Sequence, residues 1–166
     1  KRLLQMTYQD LVKIGGIDSA KATTLLTAFE LSKRALEVND TNLPTINNAK
    51  DAVAQLADLR DLKKEHFVAL YINARNKLIH RDLVSVGTLN ANLVHPREVF
   101  EPAIARSSVQ VIVAHNHPSG DPEPSEDDLA ITRKLVEGGK LLGIELIDHI
   151  IITKTGYLSF KDKKLI

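Results

Sequence analysis

The sequence contains no cysteine, no tryptophan, one methionine, four phenylalanines and three tyrosines. Without thiols, disulfides, thiolate metal sites and cysteine nucleophiles are excluded. Any metal must be held by imidazole and carboxylate. The lack of cysteine is compatible with a reducing, cytoplasmic compartment. Aromatics are only 4% of the chain, so Leu, Ile, Val and Ala must fill the core that 43% apolar residues allow. No apolar run is long enough to span a bilayer, and no signal peptide is visible. No excess of one charge exists: 22 Lys and Arg face 21 Asp and Glu, a net of +1, with a pI near 8.1. That balance predicts neither strong nucleic-acid binding nor membrane attraction. No Gly-x-Ser-x-Gly occurs, so a serine triad of that kind has no support. The 166 residues suit one domain, or one domain with a small appendage. Opening on Lys1 in helix-like sequence, the chain reads as a fragment of a longer protein.

Residues 1–38 read as a helical hairpin. Leu3, Leu4, Leu11, Val12 and Ile14 give a first apolar stripe. A second helix is predicted from Ser19, as N-cap, to Leu36, with Ala22, Leu25, Leu26, Phe29 and Leu31 mostly on one side. The polar stretch 39–46, with Pro44, reads as a linker. Residues 47–166 then alternate helix and strand. A helix is predicted over 47–59, strands over 66–72 and 77–86 as a hairpin, and a helix from Pro96 to Arg106. Val109 to Ala114 is nearly all apolar, the mark of a strand buried on both faces. A helix from Ser125 to Leu142 is closed by Gly143, and strands follow at 145–153 and 157–160. The pattern implies an α/β (mixed α+β) fold with a mixed sheet flanked by helices.

What is present is concentrated in one segment. His115 and His117 sit at i and i+2, a spacing that puts both on one side of an extended strand. Asp128 follows eleven residues after His117, at the start of the next helix. Two imidazoles, a carboxylate and an open fourth position are a common build for hydrolytic zinc enzymes. Ser125-x-x-Asp128 is also an ordinary helix N-terminus, with Ser at the cap and the acid at N3. The two roles are compatible: Ser125 can cap while Asp128 turns inward. Base deamination through a cysteine-held zinc is excluded, since Pro-Cys-x-x-Cys is absent.

The order His115-x-His117, ten residues, Asp128, with Ser125 three before the aspartate, is similar to the JAMM (MPN-type) metalloprotease motif. The string His-Asn-His-Pro-Ser-Gly-Asp-Pro-Glu-Pro-Ser, residues 115–125, resembles the RadC family in particular. So do Gly87-Thr88-Leu89-Asn90, Val94-His95-Pro96-Arg97-Glu98-Val99-Phe100 and Asp148-His149-Ile150-Ile151-Ile152. The likeness covers about 45–166. It implies a three-layer JAMM/MPN (cytidine-deaminase-like) core with a small N-terminal helical hairpin. It also implies one Zn2+ held by His115, His117 and Asp128. The motif needs an upstream glutamate at a strand start, and Glu65 matches; Glu98 and Glu101 are rivals placed on a helix. Val68-Ala69 departs from the glycines many JAMM proteins carry there.

The implied activity is that of a metallopeptidase or isopeptidase, hydrolysing an amide bond of a peptide or protein by metal-activated water. Glu65 would move the proton and Ser125 would hydrogen-bond the oxyanion, worth about 3 kcal/mol. Pro118, Pro122 and Pro124 would stiffen the loop between the ligands. Among the other histidines, His66 and His80 are expected to be exposed, and His95 to cap a helix or lie on the surface. His149 is expected to be a hydrogen-bonded core residue or a partner of the ligands. Residues 14–22 resemble a helix-hairpin-helix unit, which approaches DNA phosphates at a helix N-terminus. Asp18 replaces its usual second glycine, and residues 1–38 carry only six Lys/Arg against four Asp/Glu. The alternative function is a DNA-associated, repair-related protein whose metal site is non-proteolytic. A two-metal nuclease ranks last, for want of carboxylates.

Overall fold

The structure, a computed structural model, describes residues 6–36, 43–87 and 94–166, without the side chains of 33–36. Leu3 and Leu4, the linker residues 39–42 and Thr88–Asn90 of the family-like string lie outside them. The chain divides into two compact units, 1–42 and 43–166. Among the described residues no helix is long and apolar enough to cross a membrane.

In the first unit α1 (Tyr8–Val12) is capped by Thr7, and α2 spans Ser19–Leu36. The predicted cap is displaced by one residue. Asp18, not Ser19, accepts the Lys21 amide at 2.8 Å, because a carboxylate reaches N3 and is favoured by the positive end of the helix. Ser19 instead accepts from the Tyr8 hydroxyl at 2.8 Å. Leu11 and Ala22 are buried. Leu31 is exposed, being off the stripe formed by Ala22, Leu25, Leu26 and Phe29.

In the second unit the elements are α3 (Ala49–Ala54), a 3₁₀ turn (Ala57–Asp61), β1 (His66–Ile72), β2 (Leu78–Val86), α4 (Pro96–Ala105), β3 (Gln110–Asn116), α5 (Glu126–Leu142), β4 (Glu145–Ile152) and β5 (Tyr157–Ser159). They form one mixed sheet of order β2-β1-β3-β4-β5. β3 runs antiparallel to β1 and parallel to β4, so β3-α5-β4 is a crossover unit. Residues 43–46 join this unit: Thr45 bridges to Lys77 and Ile46 is buried.

Alternation along the strands makes two cores. Phe67, Ala69, Tyr71, Val111 and Val113 pack against Val99, Phe100 and Ala103 of α4 and Ile131 and Leu135 of α5. Val68, Leu70, Ile72, Ile112, Ala114 and Ile150 pack against Ala52, Leu56 and Leu59. Each fully buried Leu, Ile, Val or Phe contributes about 1.5–3 kcal/mol. The result is three layers, as expected. The predicted 47–59 helix is instead a short helix and a 3₁₀ turn. Leu56 and Leu59 are both buried, and the tighter turn eclipses residues three apart so that both face the sheet. His66 and His80 are half-buried rather than exposed. His80 bonds Asp82 at 2.8 Å and Arg106 at 2.9 Å, and His66 bonds the Lys64 carbonyl at 2.9 Å.

Candidate metal centre

β3 runs two residues further than its apolar sequence suggests, so His115 lies inside the strand, paired with Phe67 and Ile151. His115 shares the face of Val111 and Val113, the face that α5 covers. His117 follows at the strand end, where its amide bonds the Ile152 carbonyl at 2.8 Å. The loop after it returns the chain to α5, whose first turn places Asp128 over the two rings. This is the usual position of a site in such sheets, beyond the carboxyl end of a strand.

The α5 N-terminus does two things at once. Ser125 caps it, its Oγ accepting from the Asp128 amide at 3.2 Å. Asp128 Oδ2 accepts from the Ser125 amide at 2.8 Å and the Ser125 hydroxyl at 2.7 Å. The other oxygen, Oδ1, is buried and meets no hydrogen bond among the described residues. It lies 3.2 Å from His115 Nε2. Oδ2 is 3.6 Å from His117 Nε2, and the two Nε2 atoms are 2.9 Å apart. A tetrahedral ion with bonds of about 2.0–2.1 Å spaces its donors about 3.3 Å apart. The three side chains therefore form a group that could hold a metal ion. An unsatisfied buried carboxylate oxygen is costly, and a cation among these atoms would satisfy it. His115 and Asp128 are 0% and 1% exposed and His117 13%, so access is from the His117 side.

Both rings are oriented from behind. His117 Nδ1 donates to the Asp121 carbonyl at 2.7 Å. His115 Nδ1 meets His149 Nε2 at 2.9 Å. His149 is fully buried, stacked on Phe160 at 4.5 Å and edge-on to Phe67 at 5.7 Å. It is thus a core residue that also bonds His115.

Electrostatics separates the three side chains. Burial pulls His115 down to about 4, and burial likewise lowers His149 well below the ordinary value. His117 is raised, first by its contact with Asp128. Burial would raise Asp128, but contact with His117, the charge of His115 and the Ser125 bonds outweigh it and hold the carboxyl well below the usual range. A ligand must lose its proton to bind. Protonated His117 is the one competitor as pH falls, while His115 stays neutral and Asp128 ionised. Affinity for a divalent metal ion at these atoms is therefore expected to fall about tenfold per pH unit between about pH 6 and pH 5, the slope of one proton. A hundredfold slope in a pH-series competition titration would show that both rings titrate together.

Glu65 is half-buried at the start of β1. Its charge acts on His117, favouring the protonated ring. Its carbonyl accepts the Gly87 amide at 2.9 Å. Glu98 and Glu101 are exposed on α4. Asn116, between the two histidines, was not singled out by its sequence position. Pointing to the opposite face, it accepts the His66 amide at 2.8 Å and donates to the Lys64 and Leu62 carbonyls at 3.0 and 3.2 Å. It thereby fixes the backbone on both sides of Glu65. The available signal was a polar residue ending a fully buried strand. Asn116→Ala would leave these backbone groups without partners in a 2% exposed position, a cost of about 2–3 kcal/mol readable in a thermal melt. Asn116→Asp would do no better, because a carboxylate cannot donate to two carbonyls.

A family model described as the RadC-like JAB domain matches residues 46–165. The chain belongs to the RadC family. Its relatives include a UPF0758 protein of Bacillus cereus (strain 03BB102), 44% identical over 164 residues, which are 98% of this chain and 73% of that one. Another, from Methanococcoides burtonii, is 48% identical over 164 residues, 98% of this chain and 72% of its own length. Those names state no activity. The mixed sheet with helices on both faces is consistent with a JAB/MPN fold, and the fold and the histidine-aspartate group agree with a JAMM-like metal-binding RadC domain.

Proposed function

We propose that this chain is a zinc-dependent metallopeptidase or isopeptidase of JAMM type, acting on an amide bond of a peptide or protein. The observation that carries the reading is the buried Asp128 Oδ1, without a hydrogen bond among the described residues and 3.2 Å from His115 Nε2, in a group with His117. Two imidazoles and one carboxylate are a donor set that suits zinc, with three protein ligands as in catalytic sites. Such an ion, when bound, supplies Lewis-acid polarisation and makes water at the site more acidic.

The chain's own residues do the rest. Glu65 takes a proton from the attacking water and passes one to the leaving amine. Asn116 keeps Glu65 in register with the histidines. Ser125 holds Asp128 in the resting chain. Its hydroxyl turns to the amide carbonyl oxygen as charge develops there, and Oδ2 keeps the bond from the Ser125 amide. Hydrolysis by the zinc-loaded protein in a peptide and isopeptide library, abolished by a chelator and restored by zinc, is the expected result. A fully loaded protein that cleaves nothing would contradict the reading.

The DNA-associated alternative finds less support. One N-terminal amide of α2, that of Lys21, is already taken by the Asp18 carboxylate, whose charge also repels a phosphate. Salt-dependent duplex binding that survives His117→Ala would favour it.

A further inference from the structure

We propose that Thr132 and His149 are positioning residues that hold His115 in the tautomer a metal ligand requires. The inference rests on the metal-centre reading of the same site and extends it to two residues 4 and 21 positions beyond Asp128.

Direction follows from one end of a chain of hydrogen bonds. The Asp128 backbone carbonyl can only accept. Thr132 has a single hydroxyl proton, and Oγ1 gives it to that carbonyl at 2.5 Å. Toward His149 Nδ1, 2.6 Å away, Oγ1 is then an acceptor, so the proton of His149 sits on Nδ1. His149 is neutral in its apolar surroundings, and its Nε2 carries a lone pair. That lone pair accepts from His115 Nδ1 at 2.9 Å. A neutral His115 protonated on Nδ1 presents a lone pair at Nε2, the atom 3.2 Å from Asp128 Oδ1 and 2.9 Å from His117 Nε2. The chain starts and ends on metal-site residues, so the Asp128 backbone and the His115 ring are placed by one network. In the opposite polarity Thr132 donates to His149, and His115 ends with a proton on Nε2, where it cannot ligate.

A metal-ligating histidine usually gives its second N–H to a carboxylate, a carbonyl or a water. A neutral imidazole here adds no negative charge behind the ligand. The site then carries the charge of Asp128 alone, apart from Glu65.

The test is zinc affinity by competition with a chromophoric chelator, read beside the melting temperature of the chelated protein. His149→Phe keeps a ring against Phe160 and Phe67 but removes the acceptor. His149→Gln keeps an acceptor for His115 and a donor for Thr132. Thr132→Val keeps the shape and removes the oxygen that sets direction. His149→Phe is expected to weaken zinc binding about 10- to 100-fold, and Thr132→Val in the same direction. His149→Gln should stay within about threefold of the parent. Equal affinity in parent and Thr132→Val, or an equal loss in His149→Gln and His149→Phe, would overturn the inference. If His149→Phe fails to fold, the Thr132→Val and His149→Gln pair still decides it. A parent protein that binds no zinc would sink the metal-centre reading itself, a result distinct from a parent that binds while the variants match it.

Discussion

Asp128→Asn is expected to strip the protein of its metal while leaving it folded. Asp128 supplies the one negative charge among the three donors. Structural zinc sites with four ligands bind with apparent energies of about 10–16 kcal/mol, so one ligand is worth about 3 kcal/mol, or 100- to 1,000-fold in affinity. The amide oxygen of asparagine can still accept the Ser125 amide, now 2.8 Å from Oδ2, so the α5 cap survives. The variant loses the charge that His117 and Ser125 stabilise, so the chelated variant should stay folded but melt below the chelated parent. Zinc content after dialysis against a weak chelator, with a thermal melt, reads both. Unchanged zinc retention would remove Asp128 from the ligand set.

Glu65→Gln is expected to do the reverse, keeping the ion and losing the reaction. Glutamine has the same shape but cannot take a proton. Its backbone contact with Gly87 and the Asn116 bonds to Lys64 and His66 involve no Glu65 side-chain atom. A positioned general base contributes about 10²- to 10⁴-fold, so hydrolysis of a peptide identified in the library should fall by about that factor. Zinc affinity should change little, since the charge of Glu65 is the smallest of the influences on His117. A variant as active as the parent would leave Glu65 a structural residue at the start of β1.

The two effects differ in how visible they were beforehand. The three proposed ligands lie within fourteen residues, on one strand end and the following helix start. A period of two along a strand and the N3 position of a capped helix were enough to bring them together. The buried strands were legible for a similar reason: 67–72 and 111–114 are apolar throughout, and only a sheet covered on both faces buries such a run. His115 and Asn116 extend β3 beyond that run because their polar atoms find partners 34 and 50 residues away in sequence. No local pattern announces such partners. Thr132 was invisible for the same reason, since a threonine inside α5 acquires meaning only from His149 on β4. The 47–59 helix was misread because apolar spacing of three and four fits an α-helix and a 3₁₀ turn alike. At α2 two neighbours, Asp18 and Ser19, are both good caps, and the Tyr8 hydroxyl bond to Ser19 accompanies the choice of Asp18.

The most direct test is diffraction from zinc-loaded crystals, with data collected on both sides of the zinc absorption edge. The account predicts one anomalous peak about 2.0–2.2 Å from His115 Nε2, His117 Nε2 and an oxygen of Asp128. A fully loaded protein whose peak lies elsewhere, or one that shows no peak between those three atoms, would contradict it.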